Sequence, residues 1–271
     1  MTTAPRPRVV VITGAATGIG YAMAQAFGEN GDQVVVSDRT AETVSNGITA
    51  LGQAGIVATG VVADVRIPDQ VEHLFAQTTK KVGIPSVVIA NAGIYPNTPF
   101  LEVSVDEWDR VIDTNLKGVF LTCQFAAKQM VAFRVPGHMI VVSSGAANVA
   151  LHGWSHYCSS KAAIRMLTRS MALELGEFGI RANAILPGYV EVDEGGSHLS
   201  QNYREAARIA NPLLQPVSAS DIASFAVLLA SPQASRVNGA AIPVDNGAGA
   251  GRLGTRPSDV DHPDFHDSVT L

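Results

Sequence analysis

The chain has little of what marks several functional classes. It has only two cysteines, Cys123 and Cys158, with neither metal-ligand spacing nor a disulfide framework. That predicts a reducing, cytoplasmic setting. Charged residues make up 16% of its 271 positions, the net charge is −5 and there is no basic block, so nucleic acid is not an expected partner. No stretch approaches the ~18 consecutive apolar residues of a membrane span, and only a short apolar run follows Met1 to Arg8. Neither a membrane anchor nor a signal peptide is expected. There is no internal repeat and no low-complexity block. What remains is 46% hydrophobic residues, ample material for a core.

That material is arranged as alternating strands and helices. Arg8 to Thr13 is a β-branched run that reads as a buried parallel strand. The turn Thr13-Gly14-Ala15-Ala16-Thr17-Gly18-Ile19-Gly20 follows, and then a helical pattern. Strand, glycine-rich turn and helix start together make a phosphate site, because the glycines admit a pyrophosphate to the backbone and free amides face it. The spacing G-x-x-x-G-x-G differs from the commoner G-x-G-x-x-G. Gln33 to Asp38 is a second strand, and its terminal acid lies 18 residues after Gly20. A carboxylate at about that offset binds adenosine ribose hydroxyls and repels a 2′-phosphate, which favours NAD over NADP. Arg39 is the counter-signal, since an arginine there accommodates the phosphate.

Further strands are expected at Ile56 to Ala63, Ser86 to Ala90, His138 to Ser143, Arg181 to Leu186 and Ala240 to Val244. Helices are expected over 41–54, 68–82, 104–133 with one irregularity, 155–178, 200–210 and from a Ser220-Asp221 cap to Ala230. Ser104 and Glu107 have the form of a capping box. The pattern implies a single α/β domain over 1–248, with a parallel sheet covered by helices on both faces. Gly14, Asp38, Asp64, Asn91, Ser144 and Pro187 each follow a strand, so they gather at the carboxyl edge where such sheets bind ligands.

Tyr157 and Lys161 stand four residues apart within a helical pattern and share one face. A phenol with its ordinary pKa near ~10 is a poor base at neutral pH. A lysine beside it favours the phenolate. Lowering the value by about three units takes roughly 4 kcal/mol, within reach of one partly desolvated lysine plus a cationic cofactor. Cys158 points about 100° away on the helix and reads as a packing residue.

With these residues assembled, the chain resembles the short-chain dehydrogenase/reductase family over residues 8–248. The carriers are Thr13-Gly14-x-x-x-Gly18-x-Gly20, Asn91-Ala92-Gly93, Asn115, Ser144 placed 13 residues before Tyr157, Lys161 and Pro187-Gly188. The resemblance implies a doubly wound, Rossmann-type sheet of about seven strands and hydride exchange between NAD and a secondary alcohol or ketone. It makes Tyr157 the general acid/base, Ser144 a hydrogen-bond donor to the substrate oxygen, Lys161 the group that tunes Tyr157 and holds the nicotinamide ribose, and Asn115 the holder of a relay water. It implies cofactor contacts from Gly14, Thr17, Gly18, Ile19, Gly20, Asp38, Arg39, Asp64, Val65, Asn91, Ala92, Gly93, Tyr157, Lys161, Pro187, Gly188 and Val190, and no metal. It also implies a homo-oligomer, tetramer or dimer.

Three departures stand out. Val192 occupies a place where the family often has threonine, so the Val190 backbone is expected to carry more of that contact. Asn246 replaces a more usual glycine. The tail runs on through 249–271, and is expected to be a loosely held extension or a contact with another subunit. The loop 189–200 should be a substrate lid, and its Glu191, Asp193 and Glu194 disfavour a polyanionic substrate. Tyr95, Asn97, His152, Trp154 and His156 flank the site, with substrate contact and local packing both open. The expected reaction is NAD-dependent oxidation of a neutral polyol, sugar or small cyclic alcohol. The alternatives are an NADP(H)-dependent 3-oxoacyl reductase and, outside enzymes, an NAD(H)-sensing protein without turnover.

Overall fold

The computed structural model describes residues 7–191, 211–213 and 215–251. The segment 192–210, with the expected short helix and most of the lid, and the tail 252–271 lie outside the described residues. So does Val192.

The first half runs β1 (Val9–Thr13), α1 (Gly18–Glu29), β2 (Gln33–Asp38), α2 (Ala41–Gln53), β3 (Ala58–Val62), α3 (Pro68–Lys81) and β4 (Val87–Ala90). The second half runs α4 (Val105–Ile112), a π-helical turn (Asp113–Lys117), α5 (Gly118–Phe133), β5 (Gly137–Val142), α6 (Ser155–Leu175) and β6 (Ile180–Pro187). Then come β7 (Val190–Glu191), β8 (Val217–Ser218), α7 (Ala219–Leu229) and β9 (Ala241–Val244). Seven strands form one sheet in the order β3-β2-β1-β4-β5-β6-β9, and every pairing in it is parallel. A separate two-stranded ladder joins Val190 to Val217. Among the described residues no helix is long and apolar enough to cross a membrane.

The continuous apolar strands follow from burial on both sides. Along β1 the side chains alternate between two cores. Val9 and Val11 pack with Leu74 and Phe75 of α3, Met130 of α5 and Ile164 of α6. Val10 and Ile12 pack with Met23 and Phe27 of α1, Leu51 of α2 and Ile222 of α7. The chain winds one way from β1 to β3 and the other way from β4 onward, so the loops after β1 and β4 part and leave a crevice between them.

Local chemistry explains most element ends, with two adjustments. α7 is capped by Ser218, whose Oγ accepts from Asp221 N (3.1 Å), while the Asp221 carboxylate accepts from Ser218 N (2.8 Å). The cap is thus two residues before the expected Ser220. Ser104 does cap α4 through Glu107 N (3.1 Å), but the Glu107 carboxylate turns to His156 (3.0 Å). The irregularity expected in the long helix is the π turn, and Asn115 lies within it. Such turns rotate a side chain out of the regular helical register.

Candidate active site

The carboxyl ends of the central strands open on a cleft of about 780 Å³. Of the residues singled out from sequence, Gly14, Thr17, Gly18, Ile19, Gly20, Asp38, Arg39, Asp64, Val65, Asn91, Ala92, Gly93, Ser144, Tyr157, Lys161, Pro187, Gly188 and Val190 line it. Asn115 is fully buried and is not part of the wall.

The glycine turn is built by close approach. Gly14 has φ +61°, and a Cβ there would sit 2.8 Å from Ala92 Cα. A Cβ on Gly20 would run into the Gly14 carbonyl. Gly18 has φ +56°, a region L side chains rarely enter. Thr17 starts α1 without a side-chain cap, so its hydroxyl does not occupy the first-turn amides that open on the cleft. Asn91 supports this turn from behind. Its Nδ2 donates to the carbonyls of Thr13 (3.1 Å) and Gly14 (2.8 Å). Its side chain is therefore spent on the loop, and what it offers the cleft is the adjoining backbone of Ala92 and Gly93.

At one end of the cleft, Asp38 closes β2. Its Oδ1 accepts from Arg39 N (2.7 Å), and its Oδ2 lies 3.4 Å from Ala16 N. Arg39 is exposed beside it. Asp64 is claimed by a residue the sequence reading passed over. Arg66 meets it through Nε (2.9 Å) and Nη2 (2.6 Å), and this guanidinium holds the carboxyl below its ordinary range. An arginine two positions after a strand-end acid was the available signal.

At the other end lie Ser144, Tyr157 and Lys161. Ser144 sits just past β5, and its Oγ accepts from Ala146 N (3.1 Å). Its neighbour Ser143 turns inward, as the strand phase requires, and donates to the Lys161 carbonyl (3.0 Å). Lys161 is 5% exposed, and its Nζ donates to the Val142 carbonyl (2.8 Å). Burial pushes its pKa down to about 8. Nζ is 5.7 Å from the centroid of the Tyr157 ring. Gly93 packs beside this pair, where a Cβ would sit 3.3 Å from Asn115 Oδ1 and in ordinary contact, 3.6 Å, with Nζ.

Asn115 is fully buried. Its Oδ1 accepts from Ile94 N (2.8 Å), and its Nδ2 donates to Ile94 O (2.8 Å) and Ser160 Oγ (3.2 Å). The amide is thus committed to the loop after β4 and to α6.

Tyr95 and Trp154 line the cleft beside Tyr157. The Tyr95 ring meets Tyr157 edge-on at 6.2 Å, and Trp154 Nε1 donates to the Tyr95 carbonyl (3.2 Å). Asn97 Nδ2 donates to the His152 carbonyl (3.3 Å), a loop-to-loop tie. His156 is fully buried against Glu107 and takes no place in the cleft wall. Val149 and Leu151, which carried no signal in the sequence, and Tyr189, the first residue of the expected lid, also line the cleft. Cys158 is half-buried and absent from the cleft lining.

A family model described as "Enoyl-(Acyl carrier protein) reductase" matches residues 14–249. The chain is 37% identical over 245 residues to an L-rhamnose 1-dehydrogenase (NAD(P)(+)) of Sphingomonas sp. (strain SKA58), covering 89% of this chain and 95% of that protein. It is 36% identical over 245 residues to a 3beta-hydroxysteroid dehydrogenase 1 of Eggerthella lenta, at 89% and 93% coverage. A crystal structure of a short-chain type dehydrogenase/reductase from Mycobacterium marinum superposes with a TM-score of 0.83 at 33% identity, covering 89% and 95%. The chain belongs to the short-chain dehydrogenase/reductase family.

As a short-chain dehydrogenase/reductase it is an oxidoreductase acting on CH–OH and keto groups. The seven-stranded, single-domain Rossmann-type sheet expected from sequence is the fold observed. Within this family frame the Asn246 departure has a physical reason. Asn246 has φ +53°, the left-handed region where glycine is easiest and asparagine next. Its Nδ2 donates to Gln215 O (2.8 Å), a contact glycine lacks.

The residues present fit a nicotinamide dinucleotide. The turn packs so closely that a Cβ at Gly14 would meet Ala92 and one at Gly20 the Gly14 carbonyl, and with Gly18 at φ +56° it brings bare backbone to the cleft. A strand-end carboxylate and a buried lysine stand at opposite ends of one cleft.

Proposed function

We propose that this enzyme oxidises a neutral secondary alcohol, a polyol, sugar or small cyclic alcohol, with NAD, and reduces the corresponding ketone in reverse. The observation that carries the reading is the joint presence of Ser144, Tyr157 and buried Lys161 on one cleft with the glycine turn. The cofactor, when bound, supplies or accepts the hydride. Ser144 Oγ donates a hydrogen bond to the substrate oxygen and steadies its developing negative charge. The Tyr157 hydroxyl exchanges the proton with that oxygen. The Lys161 ammonium favours the phenolate of Tyr157 and holds the nicotinamide-side ribose. Asn115 holds Ile94 and Ser160 in place through an amide engaged at both its oxygen and its nitrogen.

Gly14, Thr17, Gly18, Ile19 and Gly20 take the pyrophosphate. Asp38 would hold the adenosine ribose, Asp64 and Val65 would contact the adenine side of the cofactor, and Pro187, Gly188 and Val190 its nicotinamide side. The Asp38 carboxylate supports NAD, because a 2′-phosphate would meet a like charge. Exposed Arg39 supports the second reading, an NADP(H)-dependent 3-oxoacyl reductase. Among the similar structures is an actinorhodin polyketide ketoreductase with NADPH, 27% identical with a TM-score of 0.84 over 92% of this chain and 99% of that one. Relatives named for rhamnose, butanediol and 5-keto-D-gluconate support a neutral or hydroxylated substrate. We assign a homo-oligomer, tetramer or dimer, in the cytoplasm, in keeping with two free thiols.

The test is turnover of NAD and NADP with a panel of sugars, polyols, cyclic alcohols and 3-hydroxyacyl thioesters, with Tyr157→Phe alongside. Turnover of one alcohol class with NAD, lost in Tyr157→Phe, is expected. Preference for thioesters with NADP would replace this reading by the second. NADH binding without turnover of any substrate would point to a sensing protein.

A further inference from the structure

α6 begins without a conventional cap. Trp154 is its N-cap residue and makes no side-chain cap hydrogen bond. The first-turn amides of a helix need acceptors, and one of them belongs to Tyr157. That N–H donates to Nδ1 of the preceding residue, His156, at 2.9 Å. The His156 ring is wholly buried, and its Nε2 lies 3.0 Å from Oε1 of Glu107 on α4. Nδ1 accepts a hydrogen bond from a backbone amide, so it must present its lone pair. Nε2 then carries the hydrogen and donates to the carboxylate. The two neighbours together select one neutral tautomer.

Glu107 is itself held. The Thr98 side chain hydrogen-bonds to its carboxylate and the Arg110 guanidinium stands 3.9 Å away. Its backbone amide is on Ser104 Oγ. Thr98 N in turn donates to Gly153 O (2.8 Å). Glu107 therefore joins three segments. These are the loop after β4, which carries Tyr95, the helix that runs into the π turn of Asn115, and the first turn of α6, which carries Tyr157. Helix first turns fray unless tied down, and a reacting group displaced by 1 Å can cost ~100-fold in rate.

We propose that Glu107 and His156 are positioning residues for proton transfer. The Glu107 carboxylate fixes the His156 tautomer, and His156 Nδ1 anchors the backbone amide of Tyr157, so that the phenol is held at the substrate oxygen. This rests on the reading of Tyr157 as the acid/base. Turnover surviving Tyr157→Phe would sink that reading and this one with it, whereas turnover that needs Tyr157 but is unmoved in folded Glu107→Leu would sink the pair's role alone.

The experiment compares Glu107→Gln, Glu107→Leu, His156→Asn and His156→Phe in the full chain. It measures kcat with the best alcohol of the panel, NADH affinity by fluorescence, thermal midpoint, and hydrogen exchange over residues 154–160. Gln keeps an acceptor for Nε2–H and should retain kcat within about threefold. Leu removes it and should lower kcat ~10- to 100-fold, with NADH affinity within about twofold and faster exchange over 154–160. Asn reaches the Tyr157 amide but not Glu107, and should fall between. Equal kcat and unchanged exchange in folded Glu107→Leu would overturn the proposal. So would a loss in which NADH affinity falls in step with kcat, or one that Glu107→Gln fails to rescue. Should the bulky replacements fail to fold, Glu107→Gln against Glu107→Ala reads the same contrast, and exchange over 154–160 needs no substrate.

Discussion

Lys161 places its ammonium 5.7 Å from the centroid of the Tyr157 ring, and the same nitrogen donates to the Val142 carbonyl at 2.8 Å. One contact aims the charge at the phenol, and the other ties it to the end of β5, next to Ser144. The two side chains are thus set relative to each other by a strand end as well as by their shared helix. Tyr157→Phe should lower kcat by at least ~100-fold and leave NADH affinity little changed, because it removes a proton donor and keeps the ring. Steady-state rates and fluorescence titration check both halves.

The same burial works against stability. Lys161 has its pKa lowered to about 8 from 10.5 by desolvation. At pH 7 the lysine is charged in both folded and unfolded states, so folding carries the penalty of burying the charge. Between about pH 8 and 10.5 the unfolded chain holds a proton that the folded chain has released, so this contribution to stability rises with pH. Lys161→Met should stabilise the cofactor-free protein at pH 7 by up to about 3 kcal/mol, flatten the alkaline rise and abolish turnover. Urea unfolding at pH 7 and pH 10 separates these outcomes. A less stable Lys161→Met at pH 7 would contradict the account.

A mirror case lies at the opposite edge of the sheet. His138 at the start of β5 is 3% exposed, and Asn183 Nδ2 stands 2.9 Å from its Nε2. Burial, with Arg181 and Arg8 near, lowers its pKa to about 3. Between pH 6.5 and about 3 the unfolded chain takes up a proton that the folded chain refuses, so stability falls as pH falls through this window. His138→Gln keeps an acceptor and does not titrate. It should make stability less steep with acid, by roughly 2 kcal/mol at pH 5. Denaturation curves at pH 7 and pH 5 for both proteins test this.

On the proposed function, Asp38 with Arg39 beside it sets the cofactor choice. Asp38→Ser removes the like charge and leaves the arginine, so kcat/KM with NADP should rise relative to NAD by about tenfold or more, near 1.4 kcal/mol per tenfold. Paired rates with the two cofactors decide it. An unchanged ratio would remove Asp38 as the selector and favour the second reading.

Several features were open to the sequence because their physics is local. The run Val9 to Thr13 must be buried on both faces. The glycines between it and the next helix serve a turn that tolerates no Cβ. Tyr157 and Lys161 share a helix face by spacing alone. The alternation of strands and helices placed Gly14, Asp38, Ser144 and Pro187 at one edge through topology, and all four line the cleft.

What only the folded chain decided is how the polar side chains are spent. Asn91 lies on the glycine turn, 77 residues away at Gly14, and the Asn115 amide is engaged with Ile94 and Ser160. Asp64 is taken by Arg66, and Glu107 leaves its own helix cap for His156, 49 residues on. Periodicity tells which face a residue occupies, because that depends on its own backbone. It does not tell which of several reachable partners a buried donor or acceptor takes, because that depends on desolvation and on segments brought together from across the chain.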